Sequence, residues 1–342
     1  MKTPAAILFE QRTPLVIDEV EIPALVYGQV LVEVKTTRIC GSQLGEIDGV
    51  KGPDKFLPHL LGHEGGGVVR EVGPEVSQVK PGDRVVLHWR PGAGIQARPA
   101  KYRLGAQTIN AGSITTFQQL TVVSENRLTT IATEFDFETA ALLADTLTTG
   151  FGAVTRNARV EIGEAVVVIG VGGIGLGTVL GAHLAGAHPL IAVDVHNHKL
   201  AKAREFGATH TINSQSENLT EAVQRVLGGP ADAVFDGTGD PAVIEQAWKI
   251  TGPRGRLVLV GVMPRDRQLS FNTLPLHYGK ALTGSEGGMS RPHTDIPRYL
   301  RMIAAGRFDP RRMVTHRCPL EKVNDAIAAM RAGESVHTMI RF

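Results

Sequence analysis

Cysteine is scarce in this sequence, with only Cys40 and Cys318 among 342 residues. Two cysteines cannot build a disulfide framework, so the composition is typical of a reducing compartment. An excess of one charge is also missing, and the net charge of +2 is too small to indicate binding to nucleic acid or to a membrane surface. The apolar run Ala5 to Phe9 is too short for the core of a signal peptide. We therefore expect a cytoplasmic protein.

Charged side chains are missing from one long stretch, residues 165–193, which contains no Asp, Glu, Lys or Arg. Gly173, Gly177 and Gly181 are spaced four apart within it, a pattern that also occurs on the dimerisation face of membrane helices. However, Pro189 interrupts the run, and the glycines cluster where a strand would turn into a helix. We therefore interpret the stretch as a buried strand, a helix and a second strand.

The same stretch carries a glycine motif with a known chemical use. Gly170, Gly172 and Gly175 have the spacing G-x-G-x-x-G, directly after the β-branched run Val166 to Ile169. The first glycine permits a tight turn, the second lets a pyrophosphate approach the backbone, and the third lets helix and strand pack closely. Asp194 ends the next predicted strand, 19 residues after Gly175, where its carboxylate would accept hydrogen bonds from ribose hydroxyls. This order of elements predicts a dinucleotide-binding site.

The chain is long enough for two domains. Residues 1–90 look β-rich, and Val30 to Lys35 within them alternates like a half-buried strand. From Glu161 onward strands and helices alternate, as in a parallel sheet covered by helices. Residues 91–116 lack clear periodicity and are predicted to form an irregular lobe. The final segment, His337 to Arg341, alternates like a strand at the edge of a sheet.

Three segments place potential metal ligands in or next to the first half of the chain. Cys40 follows a predicted strand, His63 lies between two strands, and Asp145 precedes the dinucleotide unit. Taken singly, each has an ordinary structural interpretation: a small buried residue, a turn histidine and a cap. Thiolate, imidazole and carboxylate are also the usual donors to zinc, and three protein ligands with one open position are typical of a catalytic zinc. The three residues are therefore candidate zinc ligands.

Five motifs extend over most of the chain: Cys40-Gly-Ser, Gly62-His-Glu-Gly, Lys80-Pro-Gly-Asp-Arg-Val, Gly170-Val-Gly-Gly-Ile-Gly and Val260-Gly-Val. Their combination makes the whole chain resemble the zinc-dependent medium-chain dehydrogenase/reductase family, of the alcohol dehydrogenase type. The resemblance implies an α/β fold with two domains, one for the zinc and one for the dinucleotide.

On this resemblance, residues 1–146 and 287–342 form a discontinuous, β-rich GroES-like catalytic domain with the zinc site. Residues 147–286 form the dinucleotide-binding Rossmann domain, with a doubly wound parallel sheet. The resemblance also implies a homodimer or homotetramer, in which an edge strand such as Leu282 to Ser285 continues its sheet across a two-fold axis. A small-molecule substrate is expected, and neither nucleic acid nor a membrane is expected as a partner.

The resemblance assigns roles in the catalytic domain. Cys40 and His63 match two zinc ligands, and Asp145 falls where many relatives have a third ligand, Cys, and some bacterial members use Asp. One thiolate and one carboxylate still neutralise Zn²⁺, so the substitution preserves the charge of the site. Glu64 matches an acid that lies behind the metal. Ser42 matches the Ser or Thr that hydrogen-bonds the substrate hydroxyl.

Further positions match the substrate pocket and the cofactor site. Trp89 matches an aromatic residue of the pocket wall, with a core aromatic as the alternative interpretation. The backbone beside Val260 and Val262 would hold the nicotinamide carboxamide. The residues expected at the cofactor are Gly170, Gly172, Gly173, Ile174, Gly175, Asp194, Lys199, Val260, Val262 and His337.

Three departures from the family pattern affect these expectations. Residues 91–116 contain no cysteine where many relatives have a four-cysteine lobe, which predicts one catalytic zinc per chain and no structural zinc. Gly45 stands where several relatives have a proton-relay histidine, which leaves the end of the relay open, with His59 as a speculative substitute. Gly41 and His337 stand where some relatives have arginines that bind the pyrophosphate.

The predicted function is NAD-dependent, zinc-assisted interconversion of a primary or secondary alcohol and its aldehyde or ketone. Asp194 favours NAD because its carboxylate repels a 2′-phosphate, although the nearby His196, His198 and Lys199 would offset part of that repulsion. Two alternatives stay open. One is a zinc-free, NADPH-dependent enone (quinone-type) reductase of the same superfamily, and the other is a non-catalytic cofactor-binding protein with a degenerate site.

Overall fold

The chain divides into two units of different architecture. The computed structural model describes all 342 residues. The first unit combines Met1–Asp145 with Arg291–Phe342, and the second unit is Thr146–Ser290. None of the helices combines the length and the apolar character that a membrane crossing requires.

The strands, in chain order, are β1 (Lys2–Leu8), β2 (Val16–Glu21), β3 (Gln29–Ile39), β4 (His59–Leu60), β5 (Glu64–Val72), β6 (Arg84–His88), β7 (Lys101–Leu104), β8 (Gln107–Asn110), β9 (Leu120–Ser124), β10 (Leu128–Thr130), β11 (Val166–Ile169), β12 (Leu190–Asp194), β13 (His210–Asn213), β14 (Ala231–Asp236), β15 (Thr251–Leu259), β16 (Ala281–Gly284), β17 (His316–Cys318) and β18 (Thr338–Arg341). The α-helices are α1 (Gly41–Asp48), α2 (Phe137–Ala144), α3 (Thr146–Gly152), α4 (Gly173–Leu184), α5 (Asn197–Glu205), α6 (Leu219–Leu227), α7 (Pro241–Ile250), α8 (Pro292–Ala304) and α9 (Val323–Arg331).

The second unit is built around a six-stranded sheet in the order β13-β12-β11-β14-β15-β16, in which every neighbouring pair is parallel. Numbered within the unit, this is the order 3-2-1-4-5-6 of dinucleotide-binding folds. The central strand β11 is a run of β-branched residues, and all four of its side chains are buried, as expected for a strand covered on both faces. The predicted doubly wound parallel sheet is confirmed.

The charge-free stretch at residues 165–193 forms β11, α4 and β12 rather than one long helix. Its glycines allow close packing within the second unit. A Cβ on Gly177 would lie 2.5 Å from the carbonyl oxygen of Thr146, and one on Gly181 would lie 3.0 Å from Cδ1 of Phe151. Because residues four apart share one helix face, the glycines bring α4 close to α3.

Capping side chains fix the ends of two further helices in this unit. Asn218 accepts a hydrogen bond from the backbone N–H of Glu221 at the start of α6, and Gly228 adopts a φ of +68° directly after its end. Asp240 caps α7 in the same way, and Pro241 occupies the first turn, where a missing N–H costs nothing.

The first unit contains a closed barrel, β1-β2-β7-β8-β4, and a second sheet in the order β10-β6-β5-β3-β18-β17, with β9 paired to β3. The C-terminal strand β18 joins this sheet by antiparallel pairing with β3, which makes the unit discontinuous in sequence. The predicted β-rich architecture of this part of the chain is confirmed.

The prediction of an irregular lobe at residues 91–116 is wrong in part. Strands β7 and β8 form an antiparallel hairpin that helps to close the barrel, and Tyr102 and Ile109 lie opposite each other and are fully buried. The strands are only four residues long and expose Lys101 and Arg103, so their alternation is too short to recognise in the sequence.

Two strands are more deeply buried than their patterns predict. Strand β3 pairs with β5, β9 and β18, and nine of its eleven residues are buried, so it is not a half-buried strand. Strand β18 is not an edge strand, because it lies between β3 and β17. In both cases the strand is buried by neighbouring strands that are distant in sequence.

Glu125 joins the loop at Ser77 and Gln78 to the cysteine-free residues 91–116. Its Oε1 accepts hydrogen bonds from the backbone N–H groups of Ser77 and Gln78, at 2.6 and 2.7 Å, and its Oε2 accepts one from Ile95 at 2.6 Å. The side chain is fully buried. One carboxylate therefore ties together two separate loops.

A second carboxylate, that of Glu138 in α2, holds the C-terminal strands. It accepts hydrogen bonds from Arg317 of β17 and from Arg341 of β18, at 2.6 to 2.9 Å. Burial raises the pKa of Glu138, but the two guanidinium groups outweigh this and bring the pKa below its ordinary value. The negative charge of Glu138 therefore stabilises the attachment of these strands to α2.

Candidate active site

Four potential metal ligands converge in the first unit. One donor atom each from Cys40, His63, Glu64 and Asp145 lies within 4.8 Å of all the others. Asp145 Oδ2 is 3.8 Å from Cys40 Sγ and 3.5 Å from His63 Nε2. Glu64 Oε1 is 3.7 Å from the same histidine nitrogen. The structure thus brings the three predicted zinc ligands together, with Glu64 beside them.

Three different elements deliver these side chains. Cys40 lies between β3 and α1, where its backbone N–H donates to Gln43 Oε1 over 2.8 Å. His63 immediately precedes β5, and Glu64 is the first residue of that strand. Asp145 directly follows the last residue of α2. The site therefore depends on how α2 packs against β5.

That packing requires a glycine in β5. A Cβ on Gly66 would lie 2.7 Å from Cβ of Ala140 and 2.8 Å from the carbonyl oxygen of Phe137, both in α2. Because such distances are shorter than carbon–carbon and carbon–oxygen contact, any larger residue would push the helix away from the strand. Gly66 thereby sets how close Asp145 comes to His63.

A buried arginine lies behind the cluster. Arg38 Nη2 is 2.9 Å from Glu64 Oε1, and both side chains are almost completely buried. Burial raises the pKa of Glu64, Arg38 opposes this effect, and the charge of Asp145 adds to it, so the pKa lies above its ordinary value. His337, predicted at the cofactor, is fully buried, and its Nδ1 lies 3.2 Å from Arg38 Nη1.

His63 faces the ligands with one ring nitrogen and α1 with the other. Its Nδ1 lies 3.4 Å from Ser42 Oγ and in close contact with Gln43 Nε2. Burial lowers the pKa of His63, but hydrogen bonds to Asp145 and Cys40 outweigh it and raise the pKa well above its ordinary value. The cluster thus attracts a proton, as a site built for a cation does. Gln43 is a neighbour that the sequence did not reveal, although it is adjacent to Ser42.

Two further predicted residues have different surroundings. Trp89 directly follows β6, and its indole N–H donates to Asp145 Oδ1 over 2.9 Å, so it contacts the candidate metal centre. His59, the speculative relay residue, has its Nε2 at 2.8 Å from Asp54 Oδ2 and its Nδ1 at 2.9 Å from the carbonyl oxygen of Leu60. Both of its nitrogens face acceptors, and it is not part of the cluster.

The glycine motif of the second unit has the geometry that its spacing predicts. Gly170 adopts a φ of +81°, which permits the turn after β11. A Cβ on Gly175 would lie 2.0 Å from the carbonyl oxygen of Gly170, whereas one on Gly172 would meet no atom within 4 Å. The backbone at Gly172 is therefore open to an approaching pyrophosphate at the start of α4. The adjacent Gly173 and Ile174 form the first turn of that helix.

Asp194 is tied to this motif by hydrogen bonds. Its Oδ2 accepts from the backbone N–H of Val171, and its Oδ1 accepts from that of His196, both over 3.0 Å. Lys199 lies in the first turn of α5, partly buried. The acid and the glycine loop therefore form one structure at the carboxyl ends of β11 and β12.

The carboxyl ends of the next two strands meet at the same edge of the sheet. Asp236 ends β14, and its carboxylate accepts hydrogen bonds from Thr238 N, Thr238 Oγ1 and Gly239 N. Its carbonyl oxygen accepts from the backbone N–H of Val260, which follows β15, and the nearby Val262 is 61% exposed. Asp236 and Thr238 were not predicted, although the run Asp-Gly-Thr-Gly after a strand is a usable signal.

Comparison with known proteins gives two matching families and several full-length relatives. Residues 27–133 match the alcohol dehydrogenase GroES-like domain, and residues 173–305 match the zinc-binding dehydrogenase family. The alcohol dehydrogenase class-3 of Cereibacter sphaeroides is 32% identical over 378 aligned positions, with complete coverage of both chains. The chain belongs to the zinc-dependent medium-chain dehydrogenase/reductase family. It is an oxidoreductase of the alcohol dehydrogenase type, as the motifs predict.

Two other members of this dehydrogenase family support the same conclusion. The S-(hydroxymethyl)glutathione dehydrogenase of Paracoccus denitrificans is 31% identical, with complete coverage of both chains. The crystal structure of an alcohol dehydrogenase zinc-binding domain protein from Burkholderia ambifaria has a TM-score of 0.91 at 30% identity, covering 100% of this chain and 99% of that one. The predicted fold class, with GroES-like and dinucleotide-binding parts, is confirmed.

The residues of this dehydrogenase fit the zinc that its family implies. A thiolate, an imidazole and a carboxylate form a suitable donor set for Zn²⁺, and three protein donors are the number typical of a catalytic zinc, whose fourth position is taken by water or substrate. The cluster also contains more acidic than basic side chains close to its donor atoms, with Arg38 set behind Glu64. A divalent cation would offset the repulsion between the carboxylates of Asp145 and Glu64.

We expect the purified protein to contain one zinc per chain and Cys40→Ser to lose it, because a serine hydroxyl cannot replace a thiolate as a zinc donor. Elemental analysis measures the zinc, and circular dichroism shows that the variant is folded. Cys318→Ser, at the other cysteine of the chain, is the matched control and should retain the metal. Two zincs per chain, or wild-type zinc content in Cys40→Ser, would contradict the assignment.

Proposed function

We propose that the protein is an NAD-dependent zinc alcohol dehydrogenase that interconverts a primary or secondary alcohol and its aldehyde or ketone. The observation that carries the proposal is the convergence of Cys40 Sγ, His63 Nε2 and Asp145 Oδ2 in a chain that also has an open glycine motif. The names of the relatives, alcohol dehydrogenase class-3 and S-(hydroxymethyl)glutathione dehydrogenase, support the same reaction class.

Each group in the cluster has a defined task in this proposal. Cys40, His63 and Asp145 hold the zinc, and Glu64 is kept in place behind them by Arg38. When bound, zinc would supply Lewis-acid polarisation of the substrate oxygen, and NAD would serve as the hydride acceptor. The protein must then remove the proton of the substrate hydroxyl.

Ser42 is the residue proposed to accept that proton. Ser42 is the second residue of α1, two positions after Cys40. Its hydroxyl oxygen lies 3.4 Å from His63 Nδ1 and 3.4 Å from Gln43 Nε2. A hydroxyl both accepts and donates, so Ser42 Oγ can pass a proton on without itself becoming charged. The backbone that positions the zinc ligand Cys40 also positions this hydroxyl.

The cofactor preference is proposed to be NAD over NADP. The carboxylate of Asp194 is held at the glycine loop by two backbone N–H groups, so it cannot move away from a 2′-phosphate. The rings of His196 and His198 lie 5.5 Å apart, beyond the acid, and would offset part of the repulsion if they became charged.

The proposal predicts alcohol-dependent reduction of NAD, tested with a panel of simple alcohols, polyols and sugar-like alcohols. The kcat/KM for NAD should exceed that for NADP by about fivefold or more, since a like-charge contact of about 1 kcal/mol or more opposes the phosphate. Absorbance of the reduced nicotinamide is the measurement. A preference for NADP, or activity on enones after zinc removal, would favour the zinc-free reductase instead. No turnover of any alcohol by zinc-loaded protein would contradict the proposal.

Ser42→Ala should lower kcat by about 10²–10⁴-fold, the usual contribution of positioned acid–base groups. Zinc content should stay intact, because Ser42 is not a ligand. His59→Ala is the matched control and should change kcat far less, since both of its ring nitrogens face Asp54 and Leu60. A deuterated alcohol identifies conditions in which hydride transfer limits the rate. Near-normal turnover of Ser42→Ala under those conditions would rule out the role.

A homodimer or homotetramer is also proposed, through the open edge of the second unit's sheet. Strand β16 pairs with β15 on one side only, and its first three residues are partly exposed. Three exposed apolar side chains precede it: Leu274, Leu276 and Tyr278. Pairing with a second copy would cover the edge. Light scattering at micromolar concentration should report a dimer or tetramer, and a monomer alone would refute this proposal.

A further inference from the structure

The two oxygens of the Asp145 carboxylate have different partners. Oδ2 faces the potential metal ligands, at 3.5 Å from His63 Nε2 and 3.8 Å from Cys40 Sγ. Oδ1 accepts a hydrogen bond from the indole nitrogen of Trp89 over 2.9 Å. The direction of this bond is certain from the chemistry, because an indole N–H only donates and a carboxylate oxygen accepts. One oxygen is thus reserved by a protein donor, and the other points toward the cluster.

A carboxylate ligand has a second oxygen that needs a partner, whereas a thiolate has no second donor atom. Cysteine offers a metal one donor atom, but aspartate offers two, and it can rotate to bind through either or through both. Asp145 is only 6% exposed, so water cannot readily satisfy its second oxygen. A fixed N–H at Oδ1 both satisfies that oxygen and sets the plane of the carboxylate.

Trp89 is itself held firmly. It follows β6 directly, and its ring packs against a buried cluster that includes Val30, Val85 and Leu87. Arg127 donates a hydrogen bond to its backbone carbonyl oxygen. The indole N–H therefore reaches Asp145 from a rigid support rather than from a mobile loop.

We propose that Trp89 is a positioning residue for the metal, which holds Asp145 so that Oδ2 alone faces the zinc. The inference rests on the proposed function, since it requires that zinc binds to Cys40, His63 and Asp145. It goes beyond a role for Trp89 in the pocket wall, and it links the tryptophan to the presence of Asp rather than Cys as the third ligand.

The first test is Trp89→Phe, which keeps an aromatic ring and removes the N–H. Loss of an outer hydrogen-bond partner should weaken zinc binding by about 10–100-fold, measured by competition with a chelator without NAD. With cobalt(II) in place of zinc, the visible absorption bands should shift, because they report ligand geometry rather than stability. Trp248→Phe, at the only other tryptophan, is the matched control and should change neither result.

The decisive test is a double-mutant cycle with Asp145→Cys. In that background there is no Oδ1 to receive the indole N–H, so adding Trp89→Phe should leave the zinc affinity and the cobalt spectrum nearly unchanged. Equal effects of Trp89→Phe in both backgrounds, or no effect in the wild type, would overturn the inference. Failure of the wild type itself to bind zinc would instead refute the proposed function.

Discussion

The close approach of α2 to β5 is the constraint on which the first unit depends. It is possible only because Gly66 has no side chain where the helix backbone and Ala140 pass. Overfilling such a contact typically costs about 1–3 kcal/mol, and here the displacement would spread along the whole helix. Glu138 in that helix anchors β17 and β18, and Asp145 at its end faces the candidate metal centre. One glycine therefore supports both the attachment of the C-terminal strands and the shape of the site.

The candidate metal centre concentrates charge in a place where a protein fold alone would not need it. Arg38 and Glu64 are buried as a pair, and Cys40 and Asp145 lie next to them. A buried ion pair contributes little to stability after its desolvation is counted, and buried charged groups are concentrated at functional sites. Arg38 keeps Glu64 close to the ligands without occupying the cluster itself. The first unit thus buries a set of charged groups with little water around them. A divalent cation bound there would offset their negative charge.

Sequence patterns predict the second unit better than the first. Its parallel strands are continuous apolar runs, its helices carry local caps such as Asn218, and its glycine motif is contiguous. The first unit depends on contacts between distant segments: Trp89 meets Asp145 across 56 positions, and no local pattern encodes that pairing. The candidate ligands could be identified by chemical type and by family resemblance, whereas their neighbours Arg38 and Gln43 could not. The buried Glu125 that joins two loops could not be identified either. The burial of short strands such as β7 and β18 could not be predicted for the same reason, because it comes from neighbours that are remote in sequence.

The hydrogen bonds of Asp194 have a consequence for how this enzyme family can change its cofactor. The same carboxylate that would meet the ribose also accepts the N–H of Val171, inside the glycine loop. An apolar residue at position 194 would remove the charge that opposes a phosphorylated ribose, but it would also leave a backbone donor of the phosphate-binding turn without its acceptor. In this chain the proposed preference for NAD and the order of the glycine loop therefore depend on the same side chain. A route to the other cofactor must supply a neutral acceptor at position 194, so the accessible evolutionary steps favour short polar side chains there over apolar ones.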